Sequence, residues 1–325
     1  MLQVSELHRQ AGERLQSISG DPKKTALVHT AIALGASFLM TVMNYLFSQL
    51  ISNTGGLDGL GTRSALSTLQ AMLELAVMIA LPFWQMGIYY AALQWEKGNT
   101  AGFSSLLQGF RRFGSVLGML FLRGVLFFAL GIVVINIGTA VFMMTPLATP
   151  IIEIFSPIME QGVTPEQLET LLTPELMESA FRACIPLIIA LIVLYVIALI
   201  PIFYRVRLAD FCVMEGLTGG KSLLKSFVIT GKHCLQLCRL DLSFWWFYAL
   251  QALSVAVCYG DAILPAIGVS LPISGVSAEL LFYALGSVCQ IALLWRWEAY
   301  RVTSYALAYR TLTGPAEDDS SEMPS

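Results

Sequence analysis

Long apolar runs set the rhythm of this chain. Six stretches, about 26–50, 72–95, 116–144, 184–206, 238–260 and 278–299, hold few charges. Each reaches the roughly 20 residues needed to cross hydrocarbon. A backbone in lipid must satisfy its own hydrogen bonds, so these runs are predicted as helices. A spanning barrel would alternate in short segments instead. The polar connections repeat. GNTAGFSSLLQGFRRFG (98–114) follows the second run and GLTGGKSLLKSFVITG (216–231) follows the fourth. Both read Gly-x-Thr-x-Gly, Ser-Leu-Leu, Phe, then Gly before the next run. YRVRLADFCVMEGLTGG (204–220) is echoed by YRVTSYALAYRTLTG (300–314). The pattern predicts an all-α, polytopic transmembrane bundle, with six spans as three pseudo-repeated hairpins.

The connections have their own periodicity. Thr100 and Thr218 are candidate N-caps. Phe103, Leu106, Leu107 and Phe110 then share one helical face, and Leu223, Leu224, Phe227 and Val228 form a comparable one. Arg111, Arg112, Lys221 and Lys225 border these faces, with Lys232 beyond the second. Two readings are open: short basic helices in the headgroup plane of an anionic leaflet, or lids that cap the bundle from below. An N-terminal stripe of Val4, Leu7, Ala11, Leu15 and Ile18 predicts another interfacial helix. Residues 1–24 are thus an amphipathic arm, 25–314 the six-helix domain and 315–325 a disordered acidic tail. Thr164 and Thr173, each followed by Pro-Glu, mark helix starts in the loop after the third run.

Composition agrees: 56% of the 325 residues are hydrophobic and only 13% charged, against about 25% charged in soluble domains. The placement of charge orients the chain. Of 19 Lys and Arg, all but Arg63, Arg123 and Arg182 fall in the N-terminal arm, the loops after the second and fourth runs, or the C-terminal end. The opposite loop gathers Glu153, Glu160, Glu166, Glu169, Glu175 and Glu178. Basic residues favour the cytoplasmic side, so both termini are expected there. The first apolar run is too long for a signal h-region and is expected to stay as an anchor. Six cysteines are expected to be mostly reduced, apolar side chains. A pairing of Cys184 with Cys258 is left open.

The arm SELHRQAGERLQSISG and, more strongly, SLLKSFVITGKHCLQLCRLDLSFWW resemble the domain-of-unknown-function 975 family of bacterial integral membrane proteins. The Leu-x-x-Gly-Phe-x-x-Phe loop (106–113) and the Tyr-rich end YRVTSYALAYRTL are similar too. The resemblance covers most of the chain and is strongest from Tyr204 to Trp246. It departs at His8, where the arm usually has Arg, and in the Cys-rich HCLQLCRL. It implies a helical membrane protein and brings no activity with it.

Candidate chemistry is sparse. Phosphate-loop, zinc-protease and nucleophile-elbow motifs are missing, so no catalytic residue, cofactor or nucleic-acid partner is expected. His233, Cys234 and Cys238 share a helical face but lack a fourth metal ligand, so no metal is expected. Arg123 and Asp241 stand a few residues inside the third and fifth runs, at matched depth. A lone charge at mid-bilayer costs about 2.5–3.5 kcal/mol, which favours an Arg123–Asp241 contact. The alternative leaves Arg123 snorkelling and Asp241 wet beside Arg239. Ser243 either helps satisfy Asp241 or bonds a carbonyl one turn back. The reading that best fits is a non-catalytic membrane protein organising lipid, or a membrane or cytoplasmic protein partner, at the cytoplasmic leaflet. The alternative is a permease or permease subunit for a small solute.

Overall fold

The structure, a computed structural model, describes residues 3–18, 20–53, 60–160, 174–266, 268–269 and 276–314. The described residues form helices and their connections, with no strand. Thr164, Thr173, Glu166, Glu169 and the acidic tail lie outside them. In chain order the helices are α1 (Val4–Ser17), α2 (Pro22–Asn53), α3 (Leu60–Glu96), α4 (Phe103–Leu106), α5 (Gln108–Arg111), α6 (Phe113–Met143) and α7 (Thr149–Glu160). They continue with α8 (Pro174–Val206), α9 (Ala209–Met214), α10 (Gly219–Thr230), α11 (Cys234–Ser243), α12 (Trp245–Cys258), α13 (Gly260–Ala266) and α14 (Val276–Thr313). Among the described residues, five helices are long and apolar enough to cross a membrane, six if the bent pair α11–α12 counts as one span. That architecture fits a multi-pass membrane protein.

The chain divides into two compact units. In the first, residues 1–119 and 208–325, burial follows a sharp gradient along the long helices. On α14 the positions from Ala278 to Trp297 are mostly exposed or half-buried, whereas nearly every one from Glu298 to Tyr309 is buried. On α3 the buried positions begin at Phe83, and on α2 they concentrate between Pro22 and Thr30. The switch points are level, because the Trp84 indole donates to the His29 carbonyl at 2.9 Å. Short helices α1, α4, α5, α9, α10 and α11 wrap this end, where most of the basic residues also lie. Trp95, Phe83, Phe211, Tyr309, Leu106 and Leu237 are among its largest fully buried side chains. A hydropathy window therefore reads 83–95 as span when its apolar character serves a protein core.

The loop after α3 is not the single amphipathic helix its spacing predicts. It forms two single turns broken at Leu107, and Gly102, not Thr100, precedes the first. The break lets backbone meet backbone. A Cβ on Gly87 would sit 2.1 Å from the Leu106 carbonyl oxygen, and one on Gly109 would sit 1.9 Å from that of Phe83. Leu106 is buried, while Phe110 and Phe113 stack on the Phe83 ring. Thr218 does occupy the N-cap of α10, but without a capping side-chain bond. The α1 stripe also meets protein: Leu7 and Ala11 are buried, and His8 stacks on Tyr300 of α14.

The fifth run is bent by 60° where α11 meets α12. Arg239 and Asp241, expected inside a span, therefore sit on a separate short helix before it. The second unit, Leu120–Arg207, is simpler. Gly138 of α6 lets Leu191 and Leu194 of α8 approach, and Phe142, Ala148 and Ile151 form a small cluster with Leu187.

Candidate functional site

The polar groups of the first unit gather at its basic end, in two clusters and one cavity. The first cluster surrounds Asp241. Its carboxylate accepts from the Tyr248 hydroxyl at 2.8 Å and from the Tyr305 hydroxyl. Two phenols on different helices thus hydrogen-bond to this charge, while Arg123, its expected partner from the sequence, belongs to the second unit. Ser243 donates to the Leu240 carbonyl at 2.6 Å and lies 2.8 Å from His8 Nε2. His8 Nδ1 lies 2.9 Å from the Tyr300 hydroxyl, which also donates to the His8 carbonyl at 3.1 Å. Arg239 is exposed.

The second cluster is a buried ion pair. Arg301 donates to Glu298 through Nε at 3.0 Å and Nη2 at 2.8 Å, and its guanidinium lies 5.6 Å from the centre of the Phe247 ring. The i, i+3 spacing on α14 brings both groups to one face, where the ring of α12 covers them. His29 is buried nearby, stacked on Trp84. Burying a charge is tolerable when its partner is bidentate and fixed, as here.

The cavity, about 960 Å³, is lined by Tyr90, Leu93, Lys97, Arg112, Glu215, Lys225 and Arg310, among others. One wall is a braced network. Arg310 lies 3.2 Å from Glu96 and 3.0 Å from Glu215, and Glu215 also accepts from the Tyr309 hydroxyl. Lys225 Nζ is 4.0 Å from Glu215, at the limit of an ion pair. The other wall is unbalanced. The half-buried Arg112 guanidinium gives its one hydrogen bond among the described residues to the neutral Val213 carbonyl, at 3.1 Å. The exposed Lys97 ammonium has no hydrogen bond or ion pair among them. Gly216, at φ +116°, makes room: a Cβ there would lie 3.1 Å from Arg112 Nη1, and few other residues would accept that backbone.

Comparison with protein-family models, curated proteins and solved structures finds no match. The site is therefore read from its own geometry. Of the five basic residues singled out from the sequence, Arg112 and Lys225 enter the cavity. Arg111, Lys221 and Lys232 stay exposed. His233 Nδ1 lies 3.0 Å from Gln236 Oε1, and Cys234 donates to the Thr230 carbonyl. All six cysteines are free, Cys184 and Cys258 included. Sequence reasoning missed Glu215, Arg310 and the role of Lys97. The signal was there: Glu215 and Arg310 each stand two residues before a Leu-Thr-Gly, and Lys97 immediately precedes Gly98 as Glu215 precedes Gly216. Matching points of the echoed segments line one cavity.

α10 and α11 also present an outward face. Leu224 is 70% exposed, Val228 82% and Leu235 78%, beside Lys221, Lys232 and Arg239. The face expected from Leu223, Leu224, Phe227 and Val228 is thus split: Leu223 and Phe227 turn inward, the other two outward.

Proposed function

We propose that this chain is a multi-pass protein of a bacterial plasma membrane, with both termini and its basic end in the cytoplasm. It acts there without catalysis, organising anionic lipid through α10 and α11. The observation that carries this reading is the outward face, where three large apolar side chains stand exposed among Lys221, Lys232 and Arg239. Large exposed apolar groups rimmed by cations are costly in water and suited to a charged interface. The bend supports it: α12 continues toward the apolar half, so α11, turned by 60°, lies closer to the membrane plane than to its normal. The resemblance to the domain-of-unknown-function 975 family is consistent with this placement.

Spin labels at Val228→Cys and Leu235→Cys test it in nanodiscs, with the native cysteines of α11 replaced by serine. Oxygen access is expected to exceed that of a water-soluble nickel chelate, and the difference should grow when phosphatidylglycerol joins phosphatidylcholine. Labels equally open to nickel in both lipids would contradict the reading.

A further inference from the structure

The cavity at the basic end is separate from the outward face and is built differently. Its four cations, Lys97, Arg112, Lys225 and Arg310, face two carboxylates, Glu96 and Glu215. Arg310 is spent on both carboxylates. Lys225 barely reaches one. Arg112 and Lys97 are left with unused donors on a common concave surface. A half-buried guanidinium has five N–H groups in a fixed fork, and a structural arginine normally engages a carboxylate with it. Here a single neutral carbonyl is its hydrogen-bond partner, and Gly216 holds the space beside it open. The braced Glu215–Arg310–Glu96 network keeps the opposite wall from collapsing onto it.

We propose that this cavity binds a soluble phosphate compound. The phosphate dianion is held bidentately by Arg112 and by Lys97 and Lys225, and the remainder of the ligand packs on Tyr90, Leu93 and Met214. Phosphate matches the fork of Arg112 in shape and neutralises the excess of two positive charges. A volume of about 960 Å³ suits a ligand of nucleotide size.

Depth distinguishes a soluble source from a lipid headgroup. The mostly exposed part of α14, from Ala278 to Trp297, is about 30 Å long, close to the hydrocarbon thickness. From Glu298 to Arg310 on α14, and from Trp84 to Glu96 on α3, the chain runs twelve further residues, about 18 Å. The headgroup layer occupies only about 5–8 Å on each side. The Arg310–Glu96 ion pair joins these two helix ends, so the cavity beside it stands in water beyond the headgroups.

The test uses the full chain in phosphatidylcholine nanodiscs, titrated with pyrophosphate and with ADP by calorimetry. Saturable binding is expected, weakened at least tenfold by Arg112→Gln and by Lys97→Gln, and falling as salt rises. Arg112→Lys, which keeps charge and loses the fork, should bind more weakly than the parent. Lys221→Gln, outside the cavity, should bind as the parent does. Thermal midpoints identify any variant that has lost its fold, and for such a variant protection of Lys97 from acylation by pyrophosphate in the parent gives the same readout. The absence of saturable binding overturns the proposal. So does binding that Arg112→Gln and Lys97→Gln leave unchanged, or a phosphate site filled only by phosphatidylglycerol. Each of these results leaves the spin-label test of α10 and α11 untouched.

Discussion

Glu298 and Arg301 carry the heaviest local consequence of any pair in the first unit, because both are buried and each is the other's bidentate partner. Removing one leaves a buried charge without compensation, at a cost of about 3–5 kcal/mol. Arg301→Met or Glu298→Leu should therefore lower the thermal midpoint sharply, and the double variant should recover part of the loss. Independent, additive losses would refute this account of the pair. Gly87 and Gly109 form a second sensitive contact. Alanine at either position brings a Cβ within 2.1 Å of backbone that cannot rotate away. Each substitution should cost about 1–3 kcal/mol and raise protease sensitivity in the α4–α5 loop, whereas Gly114→Ala, with open space around it, should do neither. Asp241 shows what a sequence hides at this scale. Its need for partners was legible; the two tyrosine hydroxyls among them, supplied by α12 and α14, come from packing.

Helix α1 docks on α14, α11 and α3, and His8 bridges two of these partners. Burial lowers the His8 pKa from its ordinary 6.5, so docking favours the neutral ring. The groups that meet the ring, Ser243, Phe244 and Tyr300, bring no charge to offset protonation. Docking is therefore fully stable above pH 6.5 and weakens as pH falls below it, because the undocked arm binds the proton more readily. Amide exchange in α1 should accelerate between pH 7.5 and 5.5, after correction for intrinsic rates, and His8→Gln should flatten that dependence. An unchanged dependence in the variant would place the effect elsewhere. The elements also show where periodicity succeeds and fails. Long apolar runs located the long helices, since 20 or more residues leave few alternatives. The α11–α12 bend at Phe244 and the α4–α5 break at Leu107 carry no proline or glycine at the break itself. Tertiary contacts set them, and a pattern count does not contain those contacts.

The first unit is two layers under one hydropathy profile. Its apolar half exposes large side chains such as Met72, Met78 and Leu281, and its basic half buries most of α14 from Glu298 to Tyr309 and much of α3 from Phe83 to Trp95. A window average scores lipid-facing surface and protein core alike, which is why the 72–95 run mixed the two. Charge placement separates them, because Lys and Arg collect around the buried half. The same asymmetry links the proposed roles. A face of α10 and α11 rests at the interface, while the cavity between Lys97, Arg112 and Arg310 opens further from the hydrocarbon. Both require the basic end to be cytoplasmic and dry lipid to stop near Trp84 and Glu298. Cysteine labelling in intact cells tests that directly, in a chain with its native cysteines replaced by serine or alanine. Lys97→Cys and Lys232→Cys should resist a membrane-impermeant maleimide until the cells are opened, and Glu166→Cys should react from outside. Labelling of Lys97→Cys in intact cells, with Glu166→Cys protected, would invert the topology and contradict the account.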